Sequence, residues 1–160
     1  MKYRCLTYKE FDLLSTDFSN FLYSEGINRY EWKILQDQYS DYAFKLLKKY
    51  SDLTFEKVMK DVQYLEYRTA KQLLLFECRK EQFVTIGIEI PKNSSINLTD
   101  ISSFQELSKN ELHICRTFKF DSPYRSSREE EIFNFIEAGY YIVDEKTYNR
   151  INFFRQAYLN

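Results

Sequence analysis

Phe83-Val84-Thr85-Ile86-Gly87-Ile88-Glu89-Ile90 is the stretch that decides the fold class. Successive side chains of an extended chain point to opposite sides, so Val84, Ile86, Ile88 and Ile90 share one face while Phe83, Thr85, Gly87 and Glu89 share the other. Pro91 has no amide to give to a ladder and ends the strand. Toward the N-terminus, Leu73–Arg79 and Tyr64–Arg68 are also rich in aliphatic and aromatic residues. They are set apart by the polar breaks Thr69-Ala70-Lys71 and Lys80-Glu81. Three such runs in succession predict an antiparallel meander over 64–90.

Ahead of Asp61 the period is helical. Thr7-Tyr8-Lys9-Glu10 has the capping-box form, and Phe11, Leu14, Phe18, Phe21 and Leu22 follow at helical spacing until Gly26 stops the helix. Asn28, with Glu31 three residues on, caps a second, short helix through Trp32 and Leu35. From Ser40 the positions Ala43, Phe44, Leu47, Tyr50, Leu53, Val58 and Val62 fit one long helix, or two that meet near Ser51-Asp52.

Beyond Pro91 the polar run Lys92–Ser95 reads as a loop, and Thr99 or Asp100 caps a short helix through Ile101, Phe104 and Leu107. Glu111–Phe120 predicts a fourth strand with Leu112, Ile114, Phe118 and Phe120 on one face and Glu111, His113, Cys115, Thr117 and Lys119 on the other. Asp121–Ser126 is expected to form a loop around Pro123. Ser127 then caps a helix with Ile132, Phe133 and Ile136 on its apolar stripe and Gly139 at its stop. Tyr140–Val143 allows a brief strand, and a last helix runs from Asp144 through Tyr148, Ile151, Phe154 and Tyr158. Helices that cluster ahead of an antiparallel sheet, rather than alternating with its strands, define an α+β fold. The expectation is one globular domain over 1–160. Its sheet has about four strands (the meander 64–90 plus strand 111–120), with an N-terminal helical segment and C-terminal helices packed mainly on one face.

The chain has 160 residues, with 14 Phe and 14 Tyr against 3 Gly, 2 Pro and 1 His. This length is enough to bury a core without metals or disulfides. A-and-T-rich codon usage together with ordinary core packing is one source of the rings. Binding surfaces are another, because tyrosine offers a large rigid contact and a hydroxyl at low entropic cost. The 23 basic and 24 acidic residues nearly cancel, so no overall field draws the molecule toward nucleic acid or an anionic membrane. The N-terminus turns polar before a signal-peptide core forms, and no run approaches the roughly 20 apolar residues that span a bilayer. Cys5, Cys78 and Cys115 are few, widely spaced and odd in number, unlike a disulfide framework. A cytoplasmic location with reduced thiols is expected.

No GxGxxG, Walker A, HExxH, CxxC or GxSxG motif occurs, and three glycines cannot build a phosphate cradle. His113 and Cys115 share a strand face with Glu111 or Glu89 nearby, but a structural zinc site asks for more Cys and His than this chain can gather. Glu89-Ile90-Pro91-Lys92 approaches a metal-nuclease signature and misses it, since Lys92 lies beyond the proline and on the opposite side of the pleat from Glu89. No metal, cofactor or catalytic residue is expected. The segment Arg116–Arg128 carries four basic residues against one acidic residue, interleaved with three aromatics, and leads into a helix N-terminus, where free amides and the dipole favour an anion. Lys119, Tyr124, Arg125, Ser127 and Arg128 are the anion-binding candidates. The competing reading is a self-neutralised helix start, in which Glu129, Glu130 and Glu131 complement the same dipole and pair with those arginines. Lys45, Lys48 and Lys49 read as a solvated helix face.

Four stretches carry a family resemblance: Met1-Lys2-Tyr3-Arg4 with Leu6-Thr7; Ser51-Asp52-Leu53 with Phe55-Glu56-Lys57-Val58; Tyr64-Leu65-Glu66; and Ser127-Arg128-Glu129-Glu130-Glu131-Ile132-Phe133. They resemble a family of small bacterial proteins known only as a domain of unknown function. The resemblance implies a stand-alone protein of one domain and supplies no mechanism or site. The leading expectation is therefore a non-catalytic protein that binds another protein through aromatic surface, with no membrane association and nucleic acid less favoured. The alternative is an anion-binding module for a nucleotide, a phosphorylated metabolite or an RNA backbone, using segment 116–128.

Overall fold

A computed structural model describes residues 2–99 and 115–158, and within them Phe83–Ile88 is buried at every position. The described residues hold six helices and a five-stranded, fully antiparallel sheet, so the fold is α+β. The chain divides into two compact units, residues 1–60 and 61–160.

The first unit is helical. Its elements are α1 (Tyr8–Leu13), α2 (Ser15–Ser24), α3 (Arg29–Gln38) and most of α4 (Ser40–Asp61). The Thr7–Glu10 and Asn28–Glu31 capping boxes both form, and Gly26 adopts φ 78 in the turn between α2 and α3. The single helix expected from Thr7 to Gly26 is broken at Leu14, where ψ is 14. The Tyr50 hydroxyl donates to the Leu14 carbonyl (3.4 Å), and the weak helix formers Ser15, Thr16 and Asp17 follow it. Helix α4 is continuous. Ser51 does not start a new helix: it is fully buried, donates back to the Leu47 carbonyl (2.8 Å) and accepts from the Leu6 amide (3.1 Å). The N-terminal segment is tied to the same helix, since the Tyr3 hydroxyl donates to Glu56 (2.7 Å) and the Lys2 and Tyr3 amides donate to Asp52.

The second unit is built on the sheet, in the order β4-β3-β2-β1-β5. The strands are β1 (Tyr64–Arg68), β2 (Gln72–Cys78), β3 (Gln82–Glu89), β4 (Arg116–Pro123) and β5 (Tyr141–Ile142). The register pairs Leu75 with Ile86 and Leu73 with Ile88, so the aliphatic face read from the sequence is continuous across β2 and β3. Helix α6 (Glu145–Tyr158) covers that face with Tyr148 and Ile151, beside Ile96 and Leu98 from the loop after Pro91. The Lys71 ammonium pins that loop by donating to the Ser94 and Ile96 carbonyls.

Helix α5 (Arg128–Glu137) takes the opposite face. Its Phe135 ring stacks on Phe83 (4.9 Å) and meets Phe76 edge-on (5.3 Å). The C-terminal helices therefore divide between the two faces instead of sharing one. The cause is Phe76, Phe83 and Thr85, which need cover as much as the aliphatic side does. Strand β4 runs on to Pro123, three residues into the expected loop, because Gln82 pairs with Pro123 and donates from its side chain to Asp121 (2.9 Å). The brief fifth strand forms against β1. The expected helix through Ile101, Phe104 and Leu107, and strand residues Glu111–Ile114, lie outside the described residues. No helix of the described residues is long and apolar enough to cross a membrane.

Candidate functional site

The five residues singled out as anion ligands do not gather at one point. Lys119 pairs with Ile86 and so faces the aliphatic side of the sheet, away from Phe83, on which the Tyr124 ring packs edge-on (4.6 Å). The Tyr124 hydroxyl donates to the Arg79 carbonyl (2.7 Å), and burial pushes its pKa well up. The Arg128 guanidinium meets the same carbonyl (3.2 Å), donates to the Cys78 carbonyl (3.0 Å) and reaches the Val62 carbonyl. Its charge lies 3.6 Å from Glu129. Ser127 sits at the N-cap without capping through its side chain, and the exposed Arg125 enters through its backbone. The amides of Arg125 and Ser126 both donate to the Glu131 carboxylate, so an internal anion already holds the loop that leads into α5. Arg128 thus acts as a clamp that joins the start of α5 to the end of β2. Among the described residues no three His, Cys, Asp or Glu side chains are grouped to hold a metal.

A cleft of about 590 Å³ opens instead among the helices of the first unit. Leu22 and Ile27 are buried at its base, and Phe11, Phe18 and Trp32 supply ring surface above them. Phe18 organises these rings, lying edge-on to Trp32 (5.3 Å), Phe11 (5.4 Å) and Tyr50 (5.0 Å). The turn at Gly26 and the Asn28 cap bring α3 back along α2, which sets Trp32 against Phe18. The rim is Tyr8, Asp12, Ser15, Ser19, Tyr23 and Arg29. Tyr8 is 87% and Tyr23 64% exposed. Among the described residues neither Asp12 nor Arg29 makes an ion pair, whereas nearby Glu10 and Glu25 are taken by Arg4 and Lys49.

Reading the sequence for its apolar stripe assigned Phe11, Phe18 and Trp32 to a core and passed over the rim. The signal was present in the spacing. Tyr8, Asp12, Ser15, Ser19 and Tyr23 recur every three or four residues, a polar run with a tyrosine at each end that lies beside the apolar stripe.

A model of a family of unknown function, DUF6495, matches residues 1–156 and so spans both units. The chain belongs to that family. No curated protein and no solved structure matches it. Membership in DUF6495 brings no activity with it, so a functional reading of the cleft rests on the geometry above.

Proposed function

We propose that this chain is a non-catalytic, cytoplasmic protein-binding module whose contact surface is the aromatic cleft of the N-terminal helices. The observation that carries the reading is where the exposed rings lie. Tyr8, Tyr23, Tyr30, Tyr39 and Tyr42 are more than half exposed within the helical unit, and two of them rim the cleft, whereas in the second unit Tyr141 and Phe153 are the rings exposed to that degree among the described residues. Tyrosine is among the residue types in which interface hot spots are enriched. Three free cysteines accord with a reducing compartment. The anion-binding alternative has less behind it, because Arg128 and the loop amides it needs have internal partners.

The test is site-specific photo-crosslinking from position 23 in the native cell, repeated in a Tyr8→Ser chain. A discrete protein adduct that the Tyr8→Ser change removes, with helicity unchanged, is the expected result. Adducts indifferent to Tyr8, or none, would defeat the reading.

A further inference from the structure

The cleft's lining says something about the partner as well as its place. We infer that it receives an amphipathic segment of another protein, with large apolar side chains seated on Phe11, Phe18 and Trp32, a basic residue meeting Asp12 and an acidic residue meeting Arg29. This inference rests on the protein-binding reading and deepens it. A volume of about 590 Å³ takes more than one large side chain and lies in the range of ordinary ligand sites.

The charges narrow the choice. Asp12 and Arg29 are the cleft's only ionisable lining residues other than tyrosines, and each lacks an ion-pair partner among the described residues. Their signs are opposite, so a purely basic or a purely acidic segment would bring one like-charge contact for each complementary one. A segment bearing both signs satisfies both, and like-charge contacts disfavour the rest. Tyr8 and Tyr23 at the rim add ring faces for the incoming cation and hydroxyls for the segment's polar edge. An amphipathic helix reading its apolar anchors into a groove at helical spacing is the simplest such object.

The chain reports its own occupancy, because Trp32 is its single tryptophan and lines the cleft. The probes are short alanine-based helical peptides with leucine anchors, flanked by Lys and Glu, by Lys alone, by Glu alone, or by Gln at the same positions. Trp32 emission is followed as each is titrated into the full chain. The expected order puts the Lys/Glu peptide about tenfold tighter than the Gln peptide. Asp12→Asn should remove the advantage of Lys, and Arg29→Gln that of Glu. Both positions are exposed, and circular dichroism is the check that each variant folds. Equal affinity for all four peptides, unchanged in the variants, would overturn the inference while leaving an apolar protein-binding cleft intact. Failure of every peptide to move Trp32 emission would overturn it too, and the crosslinking result would then decide the broader reading separately. Sedimentation showing a dimer that Tyr23→Ser dissolves would also overturn it, since a second copy would then fill the cleft.

Discussion

Gly87 owes its place to a ring. A Cβ built there would lie 2.0 Å from the Phe118 side chain, which covers the glycine from the adjacent strand, so any larger residue must expel that ring. Gly87→Ala is expected to cost about 1–3 kcal/mol in urea unfolding, the usual range for overpacking. Adding Phe118→Ala should cost less in that background than in the wild type, because removing the ring also relieves the clash; strictly additive losses would contradict the contact. Glu10 offers a second test at this scale. Two bonds from the Arg4 guanidinium (2.8 and 2.9 Å), helped by the Thr7 amide, hold its pKa down from 4.5 to about 2. A depressed carboxyl favours the fold when ionised, so its contribution is complete above about pH 4.5 and fades as pH falls toward 2. The urea midpoint read by Trp32 emission should therefore drop more steeply across that window in the wild type than in Glu10→Gln. Parallel curves would contradict the pairing.

Among the elements, Arg128 does more than its place in a basic stretch suggested. It supplies donors to the carbonyls of Val62, Cys78 and Arg79, the last shared with the Tyr124 hydroxyl. Arg128→Ala is expected to lower stability by roughly 2–4 kcal/mol, and Arg128→Lys to recover little, since one ammonium cannot span the fork. Arg125→Ala, on the exposed loop, should stay within about 0.5 kcal/mol. Thermal melts of the three variants check this, and similar losses at 125 and 128 would refute the clamp. Features fixed by local chemistry were legible in the sequence: the Thr7 and Asn28 boxes, the stops at Gly26 and Gly139, and the alternation through Ile86 and Ile88. What escaped depends on residues distant in sequence. The break at Leu14 involves Tyr50, β4 is extended by its pairing with Gln82, and the role of Arg128 depends on carbonyls 49 to 66 residues away. The cleft was half legible, since the tyrosine line was visible but its closure needs Trp32 to return to Phe18.

At the scale of the whole chain, two compact units carry separate native reporters, because Cys5 belongs to the first and Cys78 to the second. Thiolate is the form that reacts with alkylating agents, so a thiol labels in proportion to both its exposure and its ionisation. Cys5 is only partly covered. Cys78 is buried on β2, and burial pushes its pKa up to about 12, despite the nearby Arg128 charge. Cys78 can therefore react only after the sheet opens around it, at a rate set by that opening, whereas Cys5 needs no more than local movement of the N-terminal segment. Native-state iodoacetamide labelling read by peptide mass spectrometry should modify Cys5 well before Cys78. Cys78 should follow only at denaturant concentrations where the sheet signal is lost, and Arg128→Ala should bring its labelling to lower denaturant while leaving Cys5 unchanged. Cys78 labelling ahead of Cys5 in buffer would mean that β2 is not the protected centre of the second unit.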